Sequence, residues 1–176
     1  VFPAPPDIKT EIFTRLPDTL RKQNTGANAA HQRGAGPAHS FLEGPSFDRD
    51  GNLYCVDLRH GRIFRIDPAG AWNVFAEYDG VPNGLKIHRD GRIFVADAKL
   101  GLLCFDPRSA ARSVVADSYK GERFGGLNDL CFTDNGDLYF TDPGQASLAR
   151  PIGRVFRLNA GGELELVMQN TPYPNG

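Results

Sequence analysis

No apolar run in this chain approaches the ~20 residues that a membrane-spanning helix needs. Basic runs are missing as well: 20 Lys and Arg stand against 21 Asp and Glu, for a formal charge of −1. That balance leaves no footprint for nucleic acid or an anionic membrane. Cysteine is scarce. Cys55, Cys104 and Cys131 show no CxxC spacing, and an odd number supplies no disulfide framework. Cys55 and Cys131, in strand-like runs beside aromatics, are expected to be buried thiols, and the odd count leans towards a reducing, cytoplasmic setting. The start at Val1-Phe2-Pro3 shows neither Met nor signal peptide and leaves secretion open. A sustained 3.6-residue apolar period is absent, which argues against helices of useful length. So is the GxSxG elbow of serine hydrolases. The four His, at 31, 39, 60 and 88, lack metal-ligand spacing; of these, only His39, four residues before Glu43, is near a candidate site.

What the chain has instead is turns. Gly numbers 20 and Pro 13 in 176 residues, and 40% of the residues are hydrophobic, enough for one core. Residues 1–40 read as an N-terminal strand, over Glu11–Leu16 where polar and apolar residues alternate, followed by a polar loop over 21–40. From Phe41 onward one phrase recurs. Its first copy runs through Pro45-Ser46-Phe47, the turn Asp50-Gly51, Leu53-Tyr54-Cys55-Val56-Asp57, Arg62-Ile63-Phe64-Arg65-Ile66 and Trp72-Asn73-Val74-Phe75. The second copy turns at Asp90-Gly91 and the third at Asn135-Gly136.

Each copy reads as four short strands joined by glycine-bearing turns, whose positive φ suits tight hairpins. Four antiparallel strands in 40–47 residues describe the blade of a β-propeller. The expected fold is therefore all-β, with about three blades at 41–80, 81–125 and 126–174. A sandwich would not require the same four-strand phrase three times. Three blades do not close a ring, and the chain stops at Asn175-Gly176 as a fourth phrase opens. The expectation is the first half of a propeller domain over 41–176.

The candidate site follows from the phase of the repeat. Glu43, Asn83 and Asn128 lie eight residues before Gly51, Gly91 and Gly136, and Asn175 opens the next unit. Side chains at one phase of successive blades converge on the central axis. One carboxylate with several amide oxygens is a hard donor set, suited to Ca²⁺, with Mg²⁺ and Mn²⁺ next; Zn²⁺ stays a further candidate. Taken singly, Asn-Gly is an ordinary turn dipeptide; its recurrence in phase is what points to a site. Arg65 and Arg157, in matching third strands, are expected to mark a solvated or inter-blade face, where their phase also allows pairing with the strand-end acids.

The motifs Phe41-Leu42-Glu43-Gly44-Pro45, Pro82-Asn83-Gly84-Leu85, Leu127-Asn128-Asp129-Leu130, Tyr139-Phe140-Thr141-Asp142-Pro143 and Pro174-Asn175-Gly176 together resemble the senescence marker protein/gluconolactonase family. The resemblance implies a six-bladed propeller that hydrolyses lactones with one divalent cation on its axis. It also implies that Glu43 and Asn175 are metal ligands, that Asn128 serves the metal or the substrate, and that Asn83 lines the pocket. A further family ligand, an Asp of a later blade, has no counterpart in these 176 residues. On this reading Asp129 is the candidate general base within these residues, an Asp of a later blade being an equal or better candidate, and a small-molecule lactone is the partner. The rival readings are a non-catalytic interaction platform and a metal-free propeller like strictosidine synthase; the carboxylate of Glu43 at the ligand phase argues against both. Neither the particular lactone nor the oligomeric state is specified.

Overall fold

The computed structural model describes residues 6–22 and 39–176. Twelve strands form three separate four-stranded antiparallel sheets, each ordered as in the chain. The first contains β1 (Leu42–Phe47), β2 (Leu53–Asp57), β3 (Arg62–Ile66) and β4 (Trp72–Glu77). The second contains β5 (Pro82–Ile87), β6 (Ile93–Asp97), β7 (Gly101–Phe105) and β8 (Arg112–Ala116). A two-stranded hairpin, β9 (Ser118–Tyr119) and β10 (Glu122–Arg123), leads to the third. That sheet contains β11 (Leu130–Phe132), β12 (Leu138–Asp142), β13 (Gly153–Leu158) and β14 (Leu164–Thr171). The architecture is a partial β-propeller.

The hairpins between first and second strands share one turn chemistry. In the second, His88 N donates to Arg92 O at 2.8 Å and Gly91 N to His88 O at 2.8 Å. Gly51, Gly91 and Gly136 adopt φ of 80°, 92° and 90°, a region that a side chain disfavours. Only the glycine of each pair is left-handed, so these are longer loops rather than two-residue turns.

Packing explains the burial gradient within each sheet. In β6 and β7 every residue is buried. Phe94, Ala96, Leu102 and Cys104 face the third sheet, against Leu130, Leu138, Phe140 and Phe156. The alternate residues Ile93, Val95, Leu103 and Phe105 face the first sheet, against Tyr54, Val56 and Ile63. The period of two thus divides one continuous apolar run between two cores. Outer strands β4 and β8 are largely exposed.

The strand expected over Glu11–Leu16 is not formed. Side chains hold this segment to the first sheet instead. Leu16 is buried with Cys55, Phe64 and Ile66, and the Thr14 hydroxyl donates to Gly70 O and accepts from Trp72 Nε1. A single short 3₁₀ turn follows at Asp18–Leu20. Most of the loop expected over 21–40 lies outside the described residues. Among the described residues no helix is long and apolar enough to cross a membrane.

Candidate active site

Strand β1 carries Glu43 where its pairing with β2 slips, between Glu43 and Ser46. Asn83 occupies the same kind of irregularity in β5, between Pro82 and Gly84. Such bulges re-aim a side chain out of the strand's alternation, here at the equivalent place in two blades. Gly44 has φ of 57°, and a Cβ on it would lie 2.5 Å from Leu85 N. A Cβ on Gly84 would lie 2.8 Å from Asn128 O. The first strands of successive blades therefore meet backbone to backbone, and glycine is what lets them do so.

Hydrogen bonds to β12 hold the third unit's contribution. Asn128 N donates to Thr141 O at 3.0 Å, Thr141 N to Asp129 O at 3.0 Å, and Asp129 N to Thr141 Oγ1 at 3.1 Å. One oxygen of Asp129 accepts Leu130 N at 2.8 Å. Asn128 is buried, Glu43 and Asn83 are half-buried, and Asn175 is exposed just beyond β14.

All four residues of the repeat phase come together. Glu43, Asn83, Asn128 and Asn175 line a cavity of about 270 Å³ whose walls include Phe41, Arg59, Gln145 and Tyr173. The same four line a smaller cavity of about 100 Å³, shared with Lys86 and Asp129. They form the partition between the two spaces. Asp129 lines only the smaller one. His39 lines neither; its carbonyl takes a 2.6 Å hydrogen bond from His60 Nε2.

The donor chemistry of the partition is one carboxylate with three amides. Neither sulfur nor imidazole lines either cavity, and no cluster of three or more His, Cys, Asp or Glu exists among the described residues. Oxygen donors of this kind fit a hard cation and not a thiolate-preferring one.

Beneath the site, the strand-end acids clamp each blade to the chain entering it. Buried Asp57 accepts Phe41 N at 3.0 Å and pairs with Arg62 at 2.7 Å. Asp142 accepts Gly125 N and Gly126 N and pairs with Arg154 at 2.7 Å. Asp97 has Gly101 opposite it where the others have arginine, and takes the Tyr78 hydroxyl at 3.0 Å with Val81 N at 2.9 Å. Burial without a cation raises the Asp97 pKa, and that of Tyr78 is pushed up by burial and by Asp97. The cations are thus Arg62 and Arg154, one strand position opposite the acids, and not Arg65 and Arg157. Arg157 pairs with Asp137 at 2.7 Å. Arg62 and Arg154 were legible as the cross-strand partners of a terminal Asp; Arg59, in a turn, carried no signal.

A model of the SMP-30/Gluconolactonase/LRE-like region matches residues 41–176. The gluconolactonase of Zymomonas mobilis is 34% identical over 159 residues, covering 77% of this chain and 45% of that protein. This chain therefore spans less than half the length of that relative. Among solved structures, a gluconolactonase from Xanthomonas campestris matches with a TM-score of 0.67 at 20% identity, covering 84% of this chain and 56% of that one. Regucalcin of Agrobacterium tumefaciens, a calcium-binding protein, matches at 0.62 with 18% identity, covering 74% and 43%. These two likenesses show the shared propeller fold.

Proposed function

This chain belongs to the SMP-30/gluconolactonase/LRE-like family, and from that premise we propose that it carries the cation-binding residues of a lactone hydrolase. The observation that carries the proposal is the partition: four side chains from four repeat positions, lining one small-molecule cavity. Its volume, about 270 Å³, lies just below the range usual for drug-sized ligands, which suits a single lactone ring.

In this reading Glu43, Asn128 and Asn175 hold one divalent cation through oxygen. Calcium is the first candidate on donor hardness, and the calcium-binding relative of the same fold supports it. When bound, such a cation supplies Lewis acidity to a carbonyl oxygen and lowers the pKa of water. Asn83 and Asn128 orient the lactone by donating amide N–H bonds to its oxygens. Asp129 accepts the proton of the attacking water, within the small chamber behind the partition. Water oxygen bonds to the carbonyl carbon, the ring C–O bond breaks, and the proton passes to the departing alkoxide. The product is the open hydroxy acid.

Hydrolysis of an aldonolactone panel, with and without chelator and with Ca²⁺, Mn²⁺ or Zn²⁺ restored, tests this reading. Chelator-sensitive turnover recovered by one ion is expected. A folded protein that turns over no lactone with any ion would leave a non-catalytic binding propeller as the better description.

A further inference from the structure

Two charged side chains line the larger cavity among the described residues, Glu43 in the partition and Arg59 in the wall. The rest of the lining is amide, aromatic, aliphatic or glycine. Arg59 sits in the turn between β2 and β3. Ala98 is the contribution of the corresponding turn in the second blade, and Pro143, Gly144 and Gln145 are those of the third. Lys99, beside Ala98, is tied to Asp79 and does not line the cavity. Among the described residues, the positive charge of this cavity is therefore confined to one side.

The turn that presents Arg59 is fixed at both flanks. Leu58 N donates to Phe41 O at 3.0 Å and His60 N to Asp57 O at 3.2 Å. The His60 ring bonds the carbonyl of His39 at 2.6 Å, and that of Lys22 at 3.0 Å. Gly61, at φ of 60°, accepts Tyr78 N at 2.9 Å. Buried Asp57 anchors the base of the turn to Phe41 and Arg62. A cation carried on an ordered turn loses little freedom on binding, which favours recognition. The planar guanidinium suits a carboxylate or phosphate in a way that the neighbouring amides do not.

We propose that Arg59 is a specificity-determining residue that selects lactones bearing an anionic group, carboxylate or phosphate, on the end of the molecule away from the reacting carbonyl. The inference rests on the lactonase reading for its substrate class. It adds that the carbonyl lies at the Glu43 partition while the anion lies at Arg59. A neutral lactone of the same ring size fills the cavity without using the cation.

Ring-matched aldonolactone, aldarolactone and phosphorylated aldonolactone, assayed on the wild type, Arg59→Lys and Arg59→Ala, separate the outcomes. The wild type should prefer at least one anionic substrate, and carboxylate against phosphate identifies which anion the site takes. Arg59→Ala should lower kcat/KM for that substrate about 10- to 100-fold, the loss of one charge-assisted hydrogen-bonded contact. The loss should appear in KM, with the neutral lactone changed less than about threefold and Arg59→Lys in between. Equal losses for neutral and anionic substrates, or no preference in the wild type, would overturn the proposal. Calorimetric binding of the open aldarate and of the phosphorylated aldonate keeps the test independent of turnover. Binding that disappears in Arg59→Ala without any lactone hydrolysis would uphold the anion subsite and overturn the hydrolase reading. Hydrolysis of the neutral lactone with no anion binding would do the reverse.

Discussion

Asp129 lies so close against Gly84 that a methyl group on the glycine would stand 2.5 Å from its Oδ1 and 2.7 Å from its Cα. On the far side, a Cβ on Gly176 would lie 3.4 Å from Oδ2. Glycines follow Glu43, Asn83 and Asn175, whereas Asp129 follows Asn128. The third unit thus places a carboxylate where its neighbours leave space.

Gly84→Ala is expected to push Asp129 and the Asn128 backbone away from the partition. Overpacking of this kind costs about 1–3 kcal/mol. Lactone turnover should fall by more than about tenfold, since misplacing a reacting group by an ångström costs about 10²-fold. Urea denaturation and initial rates measure the two effects. An unchanged midpoint and rate would show that the blades do not approach this closely.

Breaking the buried clamp should be the most damaging change outside the site. Arg62 and Asp57 are 1% and 0% exposed at the side chain, whereas Arg154 of the third blade keeps 20%. Arg62→Met leaves Asp57 buried and uncompensated, a loss of about 3–5 kcal/mol. Arg154→Met should cost less, because Arg154 is itself partly solvated and Asp142 keeps the Gly125 and Gly126 amides as donors. Chemical denaturation of both variants checks the order, and equal losses would contradict it.

Thiol reactivity should divide the cysteines. Burial pushes the Cys55 thiol up to about 12 and raises that of Cys104, while Cys131, expected to be buried, is exposed on the outward face of β11. Since the thiolate is the nucleophile, one equivalent per chain should react at pH 8 in the native state. Three should react in denaturant. Rapid native labelling of Cys55 would mean that the first blade opens.

Acid sensitivity carries opposite signs at two aspartates. Hydrogen bonds from Ser109, through backbone and hydroxyl, and from Arg108 N lower the Asp106 pKa. A lowered folded-state value contributes stability that is present above the unfolded value of about 3.9 and lost as pH falls through the folded one. Asp97, raised by burial, binds its proton more tightly when folded, so its contribution declines as pH rises through its folded value. Asp106→Asn should therefore be less stable than the wild type at pH 7, with the gap narrowing below about pH 4. A gap that stays constant would remove the aspartate's charge from the account.

The blades were legible because Asp50-Gly51, Asp90-Gly91 and Asn135-Gly136 punctuate a period-two pattern, and local turn chemistry needs no tertiary information. Convergence of Glu43, Asn83, Asn128 and Asn175 followed from the same phase. The Glu11–Leu16 alternation misled, since Leu16 and Thr14 alone fasten the segment to the first sheet without any ladder, while Ile12 and Phe13 stay exposed. Arg65 is exposed and Arg157 half-buried, as a solvated face requires, but equal phase does not imply equal partners. Register decided the pairing, with Asp57 opposite Arg62 and Asp142 opposite Arg154. Arg59 was invisible because a turn residue joins the cavity only through the arrangement of blades around the axis.

Titration of the chelator-treated protein with Ca²⁺ by calorimetry, in the wild type and in Glu43→Gln, decides whether Glu43 is a cation ligand. Gln keeps the shape and removes the charge. The account predicts one site per chain in the wild type and at least about a hundredfold weaker binding in the variant, the loss of a charged ligand being worth about 3 kcal/mol. Equal affinity in both, with the fold intact, would contradict the assignment of the partition as the cation site.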